Sequence, residues 1–219
     1  SQPSSNGEFS ITTSQLSAND HVIAIEVTDE VGAVCRDEMI LFVGTPPTVS
    51  IEEPLSGEVF SLGDDIFFHG VVSDLETPLN QLNVVWESSS SGSLVSGNPD
   101  SQGNHQFSKN DLPAGVHTVT FEGSDPTGLS GTDTITFRVN TPPTSPIVTV
   151  SPSPVYGNNT LSAIASGSMD ADNHTVSYSY QWYENGVLTS NLTSIVPATD
   201  LDVGEVWTVR VTPNDGYTD

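Results

Sequence analysis

The sequence predicts an all-β chain of two-sheet sandwiches, and three observations carry that expectation. Apolar residues alternate with polar ones at a period of two in Leu82, Val84 and Trp86, in Ile135, Phe137 and Val139, and in Val176, Tyr178, Tyr180 and Trp182. Successive strand side chains point to opposite faces, so each set forms one apolar and one mostly polar face, and such faces are buried by pairing sheets. Second, no stretch carries a helical stripe, and Gly, Pro, Asn, Asp and Ser interrupt the runs at short intervals. Third, the chain repeats itself: Leu16-Ser-Ala-Asn-Asp-His21 returns as Leu112-Pro-Ala-Gly-Val-His117, an offset of 96 residues. A unit of that length used again in one chain reads as a tandem array of small domains.

The repeat sets the order of the elements. Residues 1–45 match only the second half of the unit that is complete at 46–141, with Ile23, Ile25 and Val43 returning as Val119, Phe121 and Val139. Residues 142–219 open a third unit and end without a closing strand like Asp133–Val139. Both ends are therefore expected to fall inside domains, as in a piece of a longer protein or a chain completed by its neighbours. Pro46-Pro47 and Pro142-Pro143 mark the boundaries, because proline fixes φ and removes a ladder donor. First strands are expected at Val49–Ile51 and Ile147–Val150, a later one at Val206–Val211, and a mobile serine-rich loop at Ser88–Ser101.

Four Lys and Arg against 28 Asp and Glu give a net charge of −24, which makes nucleic acid and anionic membrane poor partners. Such acidity often accompanies disorder, but 35% hydrophobic content laid out at strand period argues for a folded acidic surface suited to salt or divalent cations. The single cysteine, Cys35, leaves no intrachain disulfide and is expected to be buried or half-buried. No apolar run approaches the roughly 18 residues of a membrane helix. Three N-x-S/T sequons, at Asn158, Asn173 and Asn191, are candidate glycosylation sites.

The middle unit, from Pro46-Pro-Thr-Val-Ser-Ile51 through Gly63-Asp64 and Val72-Ser-Asp74 to Ser124-Asp-Pro-Thr-Gly128, resembles the bacterial and archaeal Ig-like repeats related to PKD domains. The third resembles another Ig-like subtype of the same surface proteins, through Ser177-Tyr-Ser-Tyr-Gln-Trp-Tyr-Glu-Asn-Gly186 and Val206-Trp-Thr-Val-Arg-Val-Thr-Pro-Asn-Asp-Gly216. The resemblance covers nearly the whole chain. It implies tandem Ig-like β-sandwiches joined by short Pro-Pro linkers, an extracellular setting and often Ca2+.

In an Ig-like sandwich the loop between strands B and C shares a pole with the loop between F and G, and the chain enters there. That places Asp74 and Glu76 with Asp125 in the middle unit, and Asp170 and Asp172 with Asp215 in the third. Converging like charges are costly unless a cation joins them, and Ca2+ takes such oxygen sets. The bland alternative is that these are turn residues, since Asp and Asn side chains hydrogen-bond the local backbone. In the similar repeats the first turn of the third unit reads D-x-D-G-D; here Asn173 and His174 replace the last two residues and lower its charge, and a glycan at Asn173 would compete for the space.

Trp86, Trp182 and Trp207 are expected in the core, with Tyr183 the exposed aromatic. The five histidines are scattered, and His21 and His117 share one repeat position, which marks them as scaffold. With no hydrolase, zinc-protease or phosphate-loop motif, an enzyme is not expected. The expected role is a rigid structural or adhesive segment of a large extracellular prokaryotic surface protein, such as an adhesin, surface layer or fibre. Its expected partners are neighbouring Ig-like domains of the same or adjacent chains. The rivals are a glycan- or protein-binding module and an accessory region of a secreted hydrolase.

Overall fold

The computed structural model describes residues 4–156 and 158–217. They form all-β, Ig-like sandwich architecture, and every ladder joins strands within 19–43, within 48–140 or within 147–214. The first group is one antiparallel hairpin, β1 (Asn19–Thr28) and β2 (Val34–Val43). The second comprises β3 (Thr48–Glu53), β4 (Val59–Ser61), β5 (Ile66–Ser73), β6 (Asn83–Ser88), β7 (Gly92–Gly97), β8 (Asn104–Lys109), β9 (Gly115–Ser124) and β10 (Ser130–Asn140). The third comprises β11 (Ile147–Ser151), β12 (Leu161–Ser166), β13 (Ser177–Glu184), β14 (Val187–Leu188), β15 (Ile195–Val196) and β16 (Trp207–Asn214).

In the middle group a sheet ordered β3-β5-β8 faces one ordered β4-β10-β9-β6-β7, and in the third β11-β12-β15 faces β14-β13-β16. These orders place β5 and β12 as strand B, β6 and β13 as strand C, and β9 and β16 as strand F of the sandwich. The loops β5–β6 and β9–β10 therefore share one pole, as do β12–β13 and the segment after β16. No helix among the described residues is long and apolar enough to cross a membrane.

Alternation places the core. Ile66, Phe68 and Val72 from one sheet meet Val84, Trp86, Val119, Phe121, Ile135, Phe137 and Val139 from the other, all buried. Trp86 stacks on Phe121 at 4.4 Å between ring centres, while Phe68 stacks on Phe107 at 4.7 Å. Gly70 lies under this stack, where a Cβ would sit 2.6 Å from both Phe121 Cε1 and Trp86 Cζ2. The third group has a smaller core of Leu161, Ala163, Trp182 and Val196, with Trp207 half-buried against it.

His117 is fully buried: Nε2–H donates to the Pro113 carbonyl at 2.8 Å, the Ser88 hydroxyl faces Nδ1 at 2.9 Å, and the ring stacks on Phe137. Its repeat mate His21 makes the same contact four residues back, Nε2 to the Ser17 carbonyl at 2.6 Å. The shared position is thus a shared structural bond.

Three expectations fail. Ser88–Ser101 is not a loop, because it holds β7, whose Leu94 and Val95 pack on the core while β7 pairs with β6. Cys35 is exposed. It is the repeat mate of Gly131, where an added Cβ would sit 2.0 Å from the Pro47 carbonyl oxygen, whereas nothing described covers β2 at Cys35. Tyr183 is half-buried, its hydroxyl donating to Gln181 Oε1 at 3.0 Å.

Candidate functional site at the joints

Both linkers are captured in the same way. The backbone N–H of Thr45 and its hydroxyl donate to Glu76 Oε2 at 3.2 and 2.8 Å, across 31 residues. The N–H of Thr141 donates to Asp172 Oδ2 at 2.7 Å, again across 31 residues. Each threonine immediately precedes a Pro-Pro pair, and each carboxylate comes from the strand B–strand C loop of the following unit. Proline cannot donate, so the threonine N–H is the last linker donor before two residues that have none. A hydrogen bond to a charged acceptor is among the stronger kinds a surface offers.

The loop is shaped by its first aspartate. Asp74 Oδ1 accepts the N–H groups of Glu76 and Thr77 at 2.9 and 2.6 Å, and Asp170 Oδ1 those of Asp172 and His174, both at 2.9 Å. Such side-chain bonds to the backbone two to four residues on close an Asx-type turn and aim the next carboxylate. The second oxygen of each is left over. Asp74 Oδ2, Glu76 Oε1 and Asp170 Oδ2 are buried and have no hydrogen-bond partner. A buried carboxylate oxygen without a donor costs free energy unless a cation meets it, so these residues fit a divalent ion in their donor chemistry.

The other loop at each pole behaves differently. Asp125 spends both oxygens on its own turn: Oδ1 accepts from Thr127 N, Thr127 Oγ1 and Leu129 N at 2.8, 2.8 and 2.9 Å, and Oδ2 lies 2.9 Å from Thr127 Oγ1. Burial opposes its ionisation, but the bonds from Thr127, Leu129 and Gly128 outweigh burial and hold its carboxyl below the usual range. Its mate Asp29 makes the equivalent bonds to the N–H groups of Val31 and Ala33. In the third unit Asp215 is buried, with Oδ1 accepting from Tyr217 N at 2.9 Å and Oδ2 from Asn140 Nδ2 at 2.7 Å. The latter bond crosses the joint, as does Arg138, whose guanidinium lies 4.5 Å over the Tyr217 ring.

Asp170, Asp172 and His174 each offer a ligand atom, all within 4.8 Å of one another, the one such group of three among the described residues. Asp74, Glu76 and Asp125 do not form a group that close. Sequence reading chose the aspartates of the third pole but passed over His174 as a lost ligand. It also passed over Thr45 and Thr141, although the offset of 96 that relates them also relates Glu76 to Asp172. Of the sequons, Asn158 and Asn173 are exposed, Asn173 with φ 63°. Asn191 is half-buried and its amide is engaged, Nδ2 donating to the Ile195 carbonyl at 2.7 Å and Oδ1 accepting from Thr193 N at 2.9 Å.

No family profile and no curated protein match this sequence. Among solved structures the chain is similar to the fibronectin(III)-like modules of Clostridium thermocellum CbhA, with 16% identity, TM-score 0.40, and coverage of 78% of this chain and 87% of that one. It is similar also to an I-band fragment of titin, with 12% identity, TM-score 0.45, and coverage of 90% and 70%. A third similar structure is murine CEACAM1b, with 14% identity, TM-score 0.40, and coverage of 76% and 92%.

Proposed function

We propose that this chain is a non-catalytic structural segment of a large extracellular prokaryotic surface protein, an adhesin, surface layer or fibre component, in which successive Ig-like sandwiches are held at fixed angles. The observation that carries this reading is the capture of the linker threonine, Thr45 by Glu76 and Thr141 by Asp172, at the same repeat position of two joints. A flexible string of domains has no use for a linker bond made twice, whereas a stiff one needs each joint fixed by both of its sides. Its partners are neighbouring Ig-like domains of the same or adjacent chains, including further copies in an assembly.

A structural divalent cation completes the joints in this reading. Ca2+ suits the all-oxygen first joint, where Asp74 and Glu76 are the ligands, with Asp125 in the other loop of the same pole. Asp170, Asp172 and Asp215 serve the second. The cation supplies charge neutralisation, and the acidity of the whole chain favours its accumulation. Glycans at the exposed Asn158 and Asn173 are compatible with the extracellular setting.

The test is to compare the melting temperature and small-angle scattering of the whole chain in Ca2+ and in chelator at fixed ionic strength. A higher melting temperature and a narrower range of shapes in Ca2+ support the reading, since a ligand bound by the native state alone raises stability. Identical melting and scattering remove the cation from it.

A further inference from the structure

One of the differences between the two joints changes the kind of ligand atom on offer. Where the first carries Pro78, its offset mate in the second is His174. The His174 ring is 20% exposed, and its Nδ1 is buried without a hydrogen bond, 3.5 Å from Asp170 Oδ1 and 3.9 Å from Asp215 Oδ2. The Asp170 side chain is 1% exposed, and its Oδ2 is likewise buried without a partner. Two unsatisfied polar atoms, one nitrogen and one oxygen, thus belong to one cluster whose ligand atoms lie within 4.8 Å. The backbone fixes the cluster: Asp170 Oδ1 holds the N–H groups of Asp172 and His174, and Asp172 is tied to Thr141. The His174 ring packs against Tyr217 at 4.7 Å, and Tyr217 packs under Arg138 of the preceding unit.

We infer that Asp170, Asp172 and His174, with Asp215 behind them, form a mixed nitrogen–oxygen site for a first-row divalent transition metal of the Zn2+ class, so that the two joints select different cations. This rests on the reading that the joints are closed by cations. Ca2+ takes six to eight oxygen ligands, and imidazole nitrogen adds little for it. Zn2+ prefers about four ligands drawn from His nitrogen and carboxylate oxygen, and Asp170, Asp172 and His174 supply three of that kind. Because Asp172 also holds the linker N–H, the metal fastens the second joint rather than one loop.

The test titrates the whole chain with Zn2+ alone, with Ca2+ alone, and with Zn2+ in excess Ca2+, following all five histidine rings by 15N NMR. Expected is one site per chain at which the His174 Nδ1 resonance shifts while those of His21, His69, His105 and His117 do not, persisting in tenfold Ca2+. His174→Ala should weaken Zn2+ at least about tenfold, the size of effect that ligand-shell changes produce. His174→Asp should raise Ca2+ affinity at that joint while leaving the dispersed spectrum of a folded third unit. A His174 ring unmoved by Zn2+, or Zn2+ affinity unchanged in His174→Ala, overturns the proposal and leaves His174 as a packing neighbour of Asp170 and Asp215. Ca2+ binding at the joints in that case preserves the broader reading, whereas no binding of either cation at either joint overturns both.

Discussion

Asp125 and Glu76 show how one functional group, the carboxylate, serves two tasks at one pole. Asp125 closes its own turn and has no oxygen to spare, while Glu76 reaches back to the linker and keeps one buried oxygen without a donor. The first task has a pH signature. A carboxyl held below its ordinary value contributes stability that is complete above the unfolded value of about 4 and is lost as pH falls through the folded value. Asp125→Asn is therefore expected to lower the melting temperature near neutrality and to flatten its fall below about pH 4; an unchanged acid limb in a pH series of melts would contradict the assignment. His117 carries a second prediction. It is fully buried, bonded to Pro113 and Ser88 and stacked on Phe137, so His117→Ala should cost about 3 kcal/mol in denaturant unfolding, the sum of a cavity and a stranded carbonyl.

At the scale of elements, the sheet that carries the site depends on the packing of β5 under β6 and β9. Gly70→Ala would drive a methyl into the Trp86–Phe121 stack and should lower stability by about 1–3 kcal/mol, as overpacking does, checked by thermal unfolding with tryptophan fluorescence as the probe. β7 gives another prediction: the amide of Val95, opposite Trp86 in the β6–β7 ladder, should exchange more slowly than loop amides do. The sequence made β6, β9, β10 and β13 legible because each alternates and buries large residues. β7 was hidden because serine and glycine dominate it, and its two packed residues, Leu94 and Val95, are adjacent rather than alternating. Cys35 was misjudged because burial depends on a neighbour across the sheet, which a single strand pattern does not contain. The aspartates of the poles were legible from the loop they occupy. The threonine contacts were not, since the backbone N–H donor that the two joints share leaves no trace in residue type.

For the whole molecule, the repeat that announces the fold also repeats the joint. Thr45 with Glu76 and Thr141 with Asp172 convert short linkers into two-sided contacts, and Asn140 with Asp215 and Arg138 with Tyr217 add to the second. Stiffness is the property that the proposed function asks of these contacts, and it would belong to the array rather than to any one sandwich. The most direct test is a spin-label distance distribution across the second joint, with labels at the exposed Gln102 and Thr199 in a Cys35→Ser background, compared with the same chain carrying Asp172→Ala. The account predicts a narrow distribution that broadens when Asp172 is removed, with the melting of the middle unit unchanged. Equal widths in the two chains would contradict it, because the captured threonine would then be a contact without mechanical consequence.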